Sequence, residues 1–331
     1  MVLVVSGCGS ASGTSSSSGA ASQTAYATLT PVTIDFTFSW KAEYAALVYA
    51  DVKGIFAQQG LSVTFQEGTG SQAVYAGLGS GQNTFVIGPS GTAAQAASGG
   101  VPVTSVATYM PVTPSVLVAQ SGTTLNTPKD LEGKQVGLRI GADASLFFDA
   151  FLKKNGVDAS KVRVTKLNAS AANASFLSSD IQVVDAFTNN ELPLLQAKVS
   201  APLTTLSFAQ FGFPILGEGV AVTTQFLQSS PDIIRRFLRA ETAGIKAAKA
   251  NPSDAAATIK RLHSTALPDQ SIVDAQVKAT LDSMTAASGH QLGYAAPSAW
   301  ANMLSIFTET GSIKSPLATS AYYTNDYLPS S

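Results

Sequence analysis

Residues 33–60, TIDFTFSWKAEYAALVYADVKGIFAQQG, constrain the fold more than any other part of the chain. Ile34, Phe36 and Phe38 alternate with Thr33, Asp35, Thr37 and Ser39, the period-two pattern of a strand packed on at least one face. A polar, aromatic tip follows at Trp40, Lys41, Glu43 and Tyr44. From Tyr44 the apolar residues Leu47, Val48, Val52, Ile55 and Phe56 recur at helical spacing up to Gly60, which suits a left-handed helix cap. One strand feeding one helix through a polar tip is the unit of an open α/β sheet, where ligands sit outside the carboxyl ends of strands. Residues 40–44 are therefore expected at the edge of a pocket.

The alternation continues. Residues 61–66, 84–88 and 101–109 read as strands, with short helices at 73–81 and 92–98 between them, the order of a doubly wound parallel sheet. Residues 115–120 form a strand with no helix before it. A second alternation follows, with strands at 135–140, 162–167 and 181–187 and helices at 145–155 and 169–177. The chain is expected to return to the first unit near residues 220–223 and then to run almost entirely as helix, at 230–250, 252–262, 269–287 and 297–310. The fold class is α/β, with two parallel-rich sheets flanked by helices. Residues 33–118 plus 223–331 form lobe I, residues 119–222 lobe II, and residues 1–32 lie outside both.

Residues 1–30 contain no Asp, Glu, Lys or Arg, although 12% of the 331 residues are charged. Residues 1–7 are short and mostly apolar, and Val5-Ser6-Gly7-Cys8 fits a bacterial lipobox, with Cys8 the only cysteine. A secretory signal carries a basic segment and roughly 7 to 15 apolar residues, so the chain is expected to begin inside a longer signal. The Ser/Gly/Ala/Thr run after Cys8 reads as a flexible tether to a lipid anchor on that cysteine. No apolar run approaches the ~20 residues of a membrane span. Lys+Arg 20 against Asp+Glu 21 gives a net charge of -1, which offers no electrostatic basis for nucleic-acid binding.

Catalytic signals are weak. His263 and His290, the two histidines, lack neighbours at metal-ligand spacing, so no metal is expected. Gly88-Pro89-Ser90-Gly91-Thr92 lacks the final glycine of a nucleophile elbow and a histidine base. Gly77-Leu78-Gly79-Ser80-Gly81 ends a helix instead of joining strand to helix, so it is a turn and not a dinucleotide fingerprint. What remains is a set of groups at strand tips: Trp40, Glu43, Tyr44, Ser71, Gln72, Ser90, Tyr109, Asn189, Asn190 and Glu191. Ser71 and Ser90 are good helix caps, and most of the others serve as turn or packing residues in an average protein. Trp40 and Glu191 stand out. A Trp at a strand exit offers a flat face for a planar ligand, and Glu191 suits a charge-assisted bond to an amino group.

The phrases FSWKAEYAALVYADVKGIFAQQGLSVTF, TPKDLEGKQVGLRIGADASLFFDAFLKKNGV, VVDAFTNNELPLLQAK and SSPDIIRRFLRAETAGIKAAKANPSDAAATI resemble, in order and spacing, the periplasmic-type solute-binding proteins of bacterial ABC importers. The branch is the one serving nitrate, sulfonates, taurine and the pyrimidine precursor of thiamine. The resemblance implies a two-lobed type II periplasmic-binding-protein fold joined by hinge strands, with a small-molecule solute in the cleft and no cofactor. It also implies a permease and separate ATPase as partners, and an extracytoplasmic location with the membrane reached through the lipid anchor alone. In that branch a Trp follows the first strand and a Glu follows a Val-Asp-Ala strand, places that Trp40 and Glu191 occupy. The sequence departs from it at Lys41-Ala42-Glu43-Tyr44, where a Pro-Asn and a downstream His are usual, which leaves the ligand open.

The expected ligand is a planar amino-heterocycle, because Glu43, Asp143 and Glu191 would repel an anion. The alternative is a small oxyanion such as an alkanesulfonate, taurine or nitrate, held by helix-start N–H groups near Ser71, Ser90 and Asp143. A pyrimidine-synthesising enzyme of the same fold is the third reading, and two histidines in the helical tail fit it poorly. The geometric expectation is that Trp40 and Glu191, one from each lobe, face each other across a shared gap.

Overall fold

A computed structural model describes residues 26–79, 84–142 and 144–330. The anchor cysteine Cys8, most of the tether and Asp143 lie outside the described residues. Ten strands form two sheets: β1 Thr30–Phe36, β2 Leu61–Gln66, β3 Phe85–Pro89, β4 Val103–Thr108, β5 Ser115–Ala119, β6 Gln135–Arg139, β7 Arg163–Leu167, β8 Val183–Phe187, β9 Thr204–Ser207 and β10 Glu218–Thr223. The first sheet has the order β2-β1-β3-β10-β4 and the second β7-β6-β8-β5-β9. β1, β2 and β3 are parallel, as are β6, β7 and β8. β10 runs antiparallel to β3 and β4, and β5 antiparallel to β8 and β9. In each sheet the reversed strand is the first one the chain forms after crossing from the other lobe. This is the two-lobed type II arrangement that the sequence implies.

The two crossing segments lie side by side. Tyr109 N donates to Glu218 O (2.9 Å), Gly217 N to Met110 O (3.0 Å) and Thr113 N to Ile215 O (2.7 Å). The sequence-based divisions at 118/119 and 222/223 fall inside β5 and β10, because a strand's pattern does not reveal which sheet it joins.

Local chemistry explains the departures from the expected elements. The helix read from Tyr44 onward is broken into Ala45–Val52 and Ile55–Gln58, with Gly54 between them at φ +69°, a conformation that costs glycine nothing. Gly60, at φ +70°, closes the second piece as expected. Gly244 lets helix Pro231–Ala250 approach Ala45–Val52 closely, since a Cβ there would meet the Ala50 Cβ at 2.5 Å. Phe36, Phe56, Phe85 and Phe237 fill lobe I. In lobe II, Phe147 and Phe151 pack edge-to-face on Phe208, and they share a core with Trp300 and Phe307 of helix Pro297–Glu309. No helix of the described residues is long and apolar enough to cross a membrane.

Candidate functional site

The carboxyl ends of β1, β3 and β8 converge with the crossing segments on a cavity of about 40 Å³. Thr37, Phe38 and Glu43 line it from lobe I, Phe187 and Asn189 from lobe II, and Met110, Thr113 and Glu218 from the crossings. Ligand pockets usually enclose about 300 Å³ or more, so this cavity is small for an organic solute and the lobes are drawn together around it.

A chain of charges runs across the closed cleft. Arg139, at the end of β6, is buried between Asp185 of β8 and Glu191 at the start of helix Glu191–Gln196. Its Nη2 lies 3.2 Å from Asp185 Oδ2, its Nη1 pairs with Glu191, and its backbone N donates to Asp185 Oδ1 at 2.7 Å. Glu191 Oε1 lies 4.0 Å from the Lys41 ammonium of lobe I, which also sits over the Phe38 ring. Burial alone would raise the Glu191 carboxyl, but Arg139 and Lys41 together hold it below the usual range. Asp185 stays raised, because its desolvation outweighs Arg139.

The lobe I carboxyls differ. Burial raises Glu43, against the pull of Lys41, and the Glu191 charge raises it further. Glu218 is pushed well above the carboxylate range by burial, then by Glu43 and Glu241. Glu241, behind it on helix Pro231–Ala250, is raised by burial to about 8.

The expected site residues divide into groups. Glu43 and Asn189 line the cavity, and Glu191 stands beside it in the ion network. Asn190 accepts from Gln276 Nε2 through its backbone O (2.8 Å) and its Oδ1 (3.1 Å), and Asn189 Nδ2 donates to Thr280 Oγ1 (3.2 Å), so both asparagines bind the opposite lobe. Tyr44 is buried face to face on Phe36, 3.7 Å between centroids. Ser90 Oγ pairs with Thr108 Oγ1 at 3.3 Å. The Tyr109 hydroxyl pairs with Thr242 Oγ1 at 3.4 Å. Ser71 is buried in the first turn of helix Ser71–Gly79, and Gln72 is exposed.

Trp40 is not in the cavity wall. Its indole stacks on His263 at 3.5 Å and meets Phe36 and Phe65 edge-on, while its backbone N donates to Glu67 Oε1 at 2.7 Å. The two loops do meet across the cleft, but through Lys41, the next residue. Sequence reading passed over Arg139, Asp185 and Glu218, although charged residues in otherwise apolar strands, VGLR, VVDAF and EGVAV, were the available signal.

Known proteins resemble this chain in sequence and fold. The family model NMT1/THI5 like matches residues 41–255, more than half of the chain. The riboflavin-binding protein RibY of Chloroflexus aurantiacus is 23% identical over 348 residues, covering 99% of this chain and 95% of RibY. The aliphatic sulphonate-binding protein SsuA of Escherichia coli superposes with a TM-score of 0.72 at 13% identity, over 90% of this chain and 98% of that one. The alkanesulfonate-binding protein SsuA of Xanthomonas axonopodis, bound to MOPS, gives 0.69 at 15% identity, over 90% and 100%. At these identities the solved structures establish the fold. Among the described residues no cluster of three or more His, Cys, Asp or Glu could hold a metal.

Proposed function

Because the chain belongs to the NMT1/THI5-like family, we propose that it captures a small organic solute between its lobes and delivers it to an ABC-type permease driven by a separate ATPase. The carrying observation is a cavity walled from both lobes, by Phe38 and Glu43 on one side and Phe187 and Asn189 on the other. A solute that touches both walls favours the closed form, and a solute shifts the equilibrium only as far as its contacts differ between the two forms. The moving bodies are the two sheets with their helices, divided at the paired crossings. On this reading the protein works outside the cytoplasmic membrane, held by a lipid on Cys8 and a tether that ends before β1 begins at Thr30.

Of the two ligand classes, a small oxyanion such as an alkanesulfonate has the broader support. The sulfonate-binding proteins share this fold along about nine tenths of the chain. Repulsion of an anion, the reason for preferring a heterocycle, is weaker than the carboxylate count suggests. Glu191 is balanced by Arg139 and Lys41, and Glu43 and Glu218 are biased toward a neutral form whose O–H donates a hydrogen bond. A planar amino-heterocycle is the second reading, favoured by the Phe38 and Phe187 rings in the wall and by the riboflavin-binding relative.

Thermal-shift titration with ethanesulfonate, taurine, nitrate, an aminopyrimidine and riboflavin, at pH 6 and pH 8, separates the two. A solute at about 100 times its dissociation constant adds ~2.7 kcal/mol to stability. An oxyanion should stabilise more at pH 6 and an amino ring more at pH 8, because the raised Glu43 and Glu218 carboxyls carry more protons at the lower pH. A shift with riboflavin or aminopyrimidine alone would reverse the order of preference, and no shift with any of the five would count against both classes.

A further inference from the structure

The lobes are also joined outside the cavity wall, by helix Gln270–Ser283. Its Val273, Val277 and Leu281 are buried in the lobe I core with Ile34 and Phe36, so the helix moves as part of lobe I. Gln276 and Thr280 are one turn apart and share a face, and both are buried. Gln276 Nε2 donates to Asn190 O at 2.8 Å and to Asn190 Oδ1 at 3.1 Å, and Thr280 Oγ1 accepts from Asn189 Nδ2 at 3.2 Å. The two asparagines follow the β8 tip of lobe II after Thr188 and precede Glu191. Neither Gln276 nor Thr280 lines the cavity.

We infer that Gln276 and Thr280 are positioning residues that hold the cleft shut from lobe I and thereby set solute affinity from outside the cavity. Opening exchanges these three buried bonds for bonds to water, so each contributes a modest net preference for the closed form. Closure then does not depend on the solute alone. The ligand-free protein populates the closed form, and the clasp slows solute release. The link to affinity rests on the solute-capture reading above, but closure itself can be measured without any solute.

The test is the distance distribution between spin labels on Lys166→Cys in lobe II and Lys246→Cys in lobe I, both exposed in the native chain, in a Cys8→Ser background without added solute. Wild-type residues at 276 and 280 should give a population at the closed distance. Gln276→Ala with Thr280→Val should lower the closed-to-open ratio roughly tenfold, and Thr280→Ser, which keeps the hydroxyl, should restore most of the Thr280 share. The single variants read the same ratio if the double variant does not fold. Identical distributions in parent and variants would overturn the inference, as would a parent that is entirely open. A failed ligand screen leaves this experiment unaffected, so the two readings fail separately.

Discussion

The two walls of the cleft carry acid in different ways. In lobe II, Asp185 and Glu191 share one buried guanidinium, Arg139, fixed at the end of β6. In lobe I, burial raises Glu43, Glu218 and Glu241, and the charges of Glu43 and Glu241 raise Glu218 further, while the nearby Lys41 ammonium reaches across to Glu191. One wall is therefore a scaffold built around an internal cation, and the other is a cluster that takes up protons when it is buried. Charge that must keep its shape is paired within its own lobe. Charge free to respond to closure or to a solute is left without a fixed partner. Since burial raises Glu43 and Glu218, closing the cleft favours proton uptake, and mild acid should favour the closed form.

Removing the lobe II cation breaks the comparison most sharply. Arg139→Met leaves two carboxyls buried without their partner, and the loss expected from breaking such an arrangement is roughly 3–5 kcal/mol. Urea denaturation of the variant measures it, and a loss below about 1 kcal/mol would mean that the scaffold is not held by its charge. A smaller, pH-dependent effect belongs to lobe I. Burial raises the Glu241 carboxyl from its ordinary 4.5 to about 8 in the folded protein. Its contribution is fully present below about 4.5 and is lost as pH rises through about 8. The wild-type melting temperature should therefore decline between pH 5 and pH 8.5, and Glu241→Gln should flatten that decline by several degrees. Parallel declines in variant and parent would show that Glu241 is not the group responsible.

The sheets were legible because their signals are local. The alternation in β1, the apolar run of β3 and the glycine stops can all be read within a few residues. Trp40 was not. The expectation that it faces a ligand rested on the cost of exposing an indole, but Phe65 on the neighbouring strand and His263 beyond helix Pro252–Leu262 cover it. Both partners come from segments that pattern alone does not bring together. Asn189 and Asn190 were expected to grip a ligand, and in the structure they bond Thr280 and Gln276, which sit in a helix whose pattern shows only an amphipathic face. The Arg139 pairing was similarly hidden, because register between β6 and β8 decides which strand charges meet.

The central claim, that solute binds between the lobes and enters only when they part, is tested most directly by locking the clasp. Asn190→Cys and Gln276→Cys, which face each other across the lobes outside the cavity lining, can in a Cys8→Ser background be bridged by a short bis-methanethiosulfonate and released by dithiothreitol. Calorimetric titration then uses whichever screened solute raises the melting temperature. The bridged protein should show no binding and the reduced protein should bind. Equal affinity in the two forms would contradict a site between the lobes.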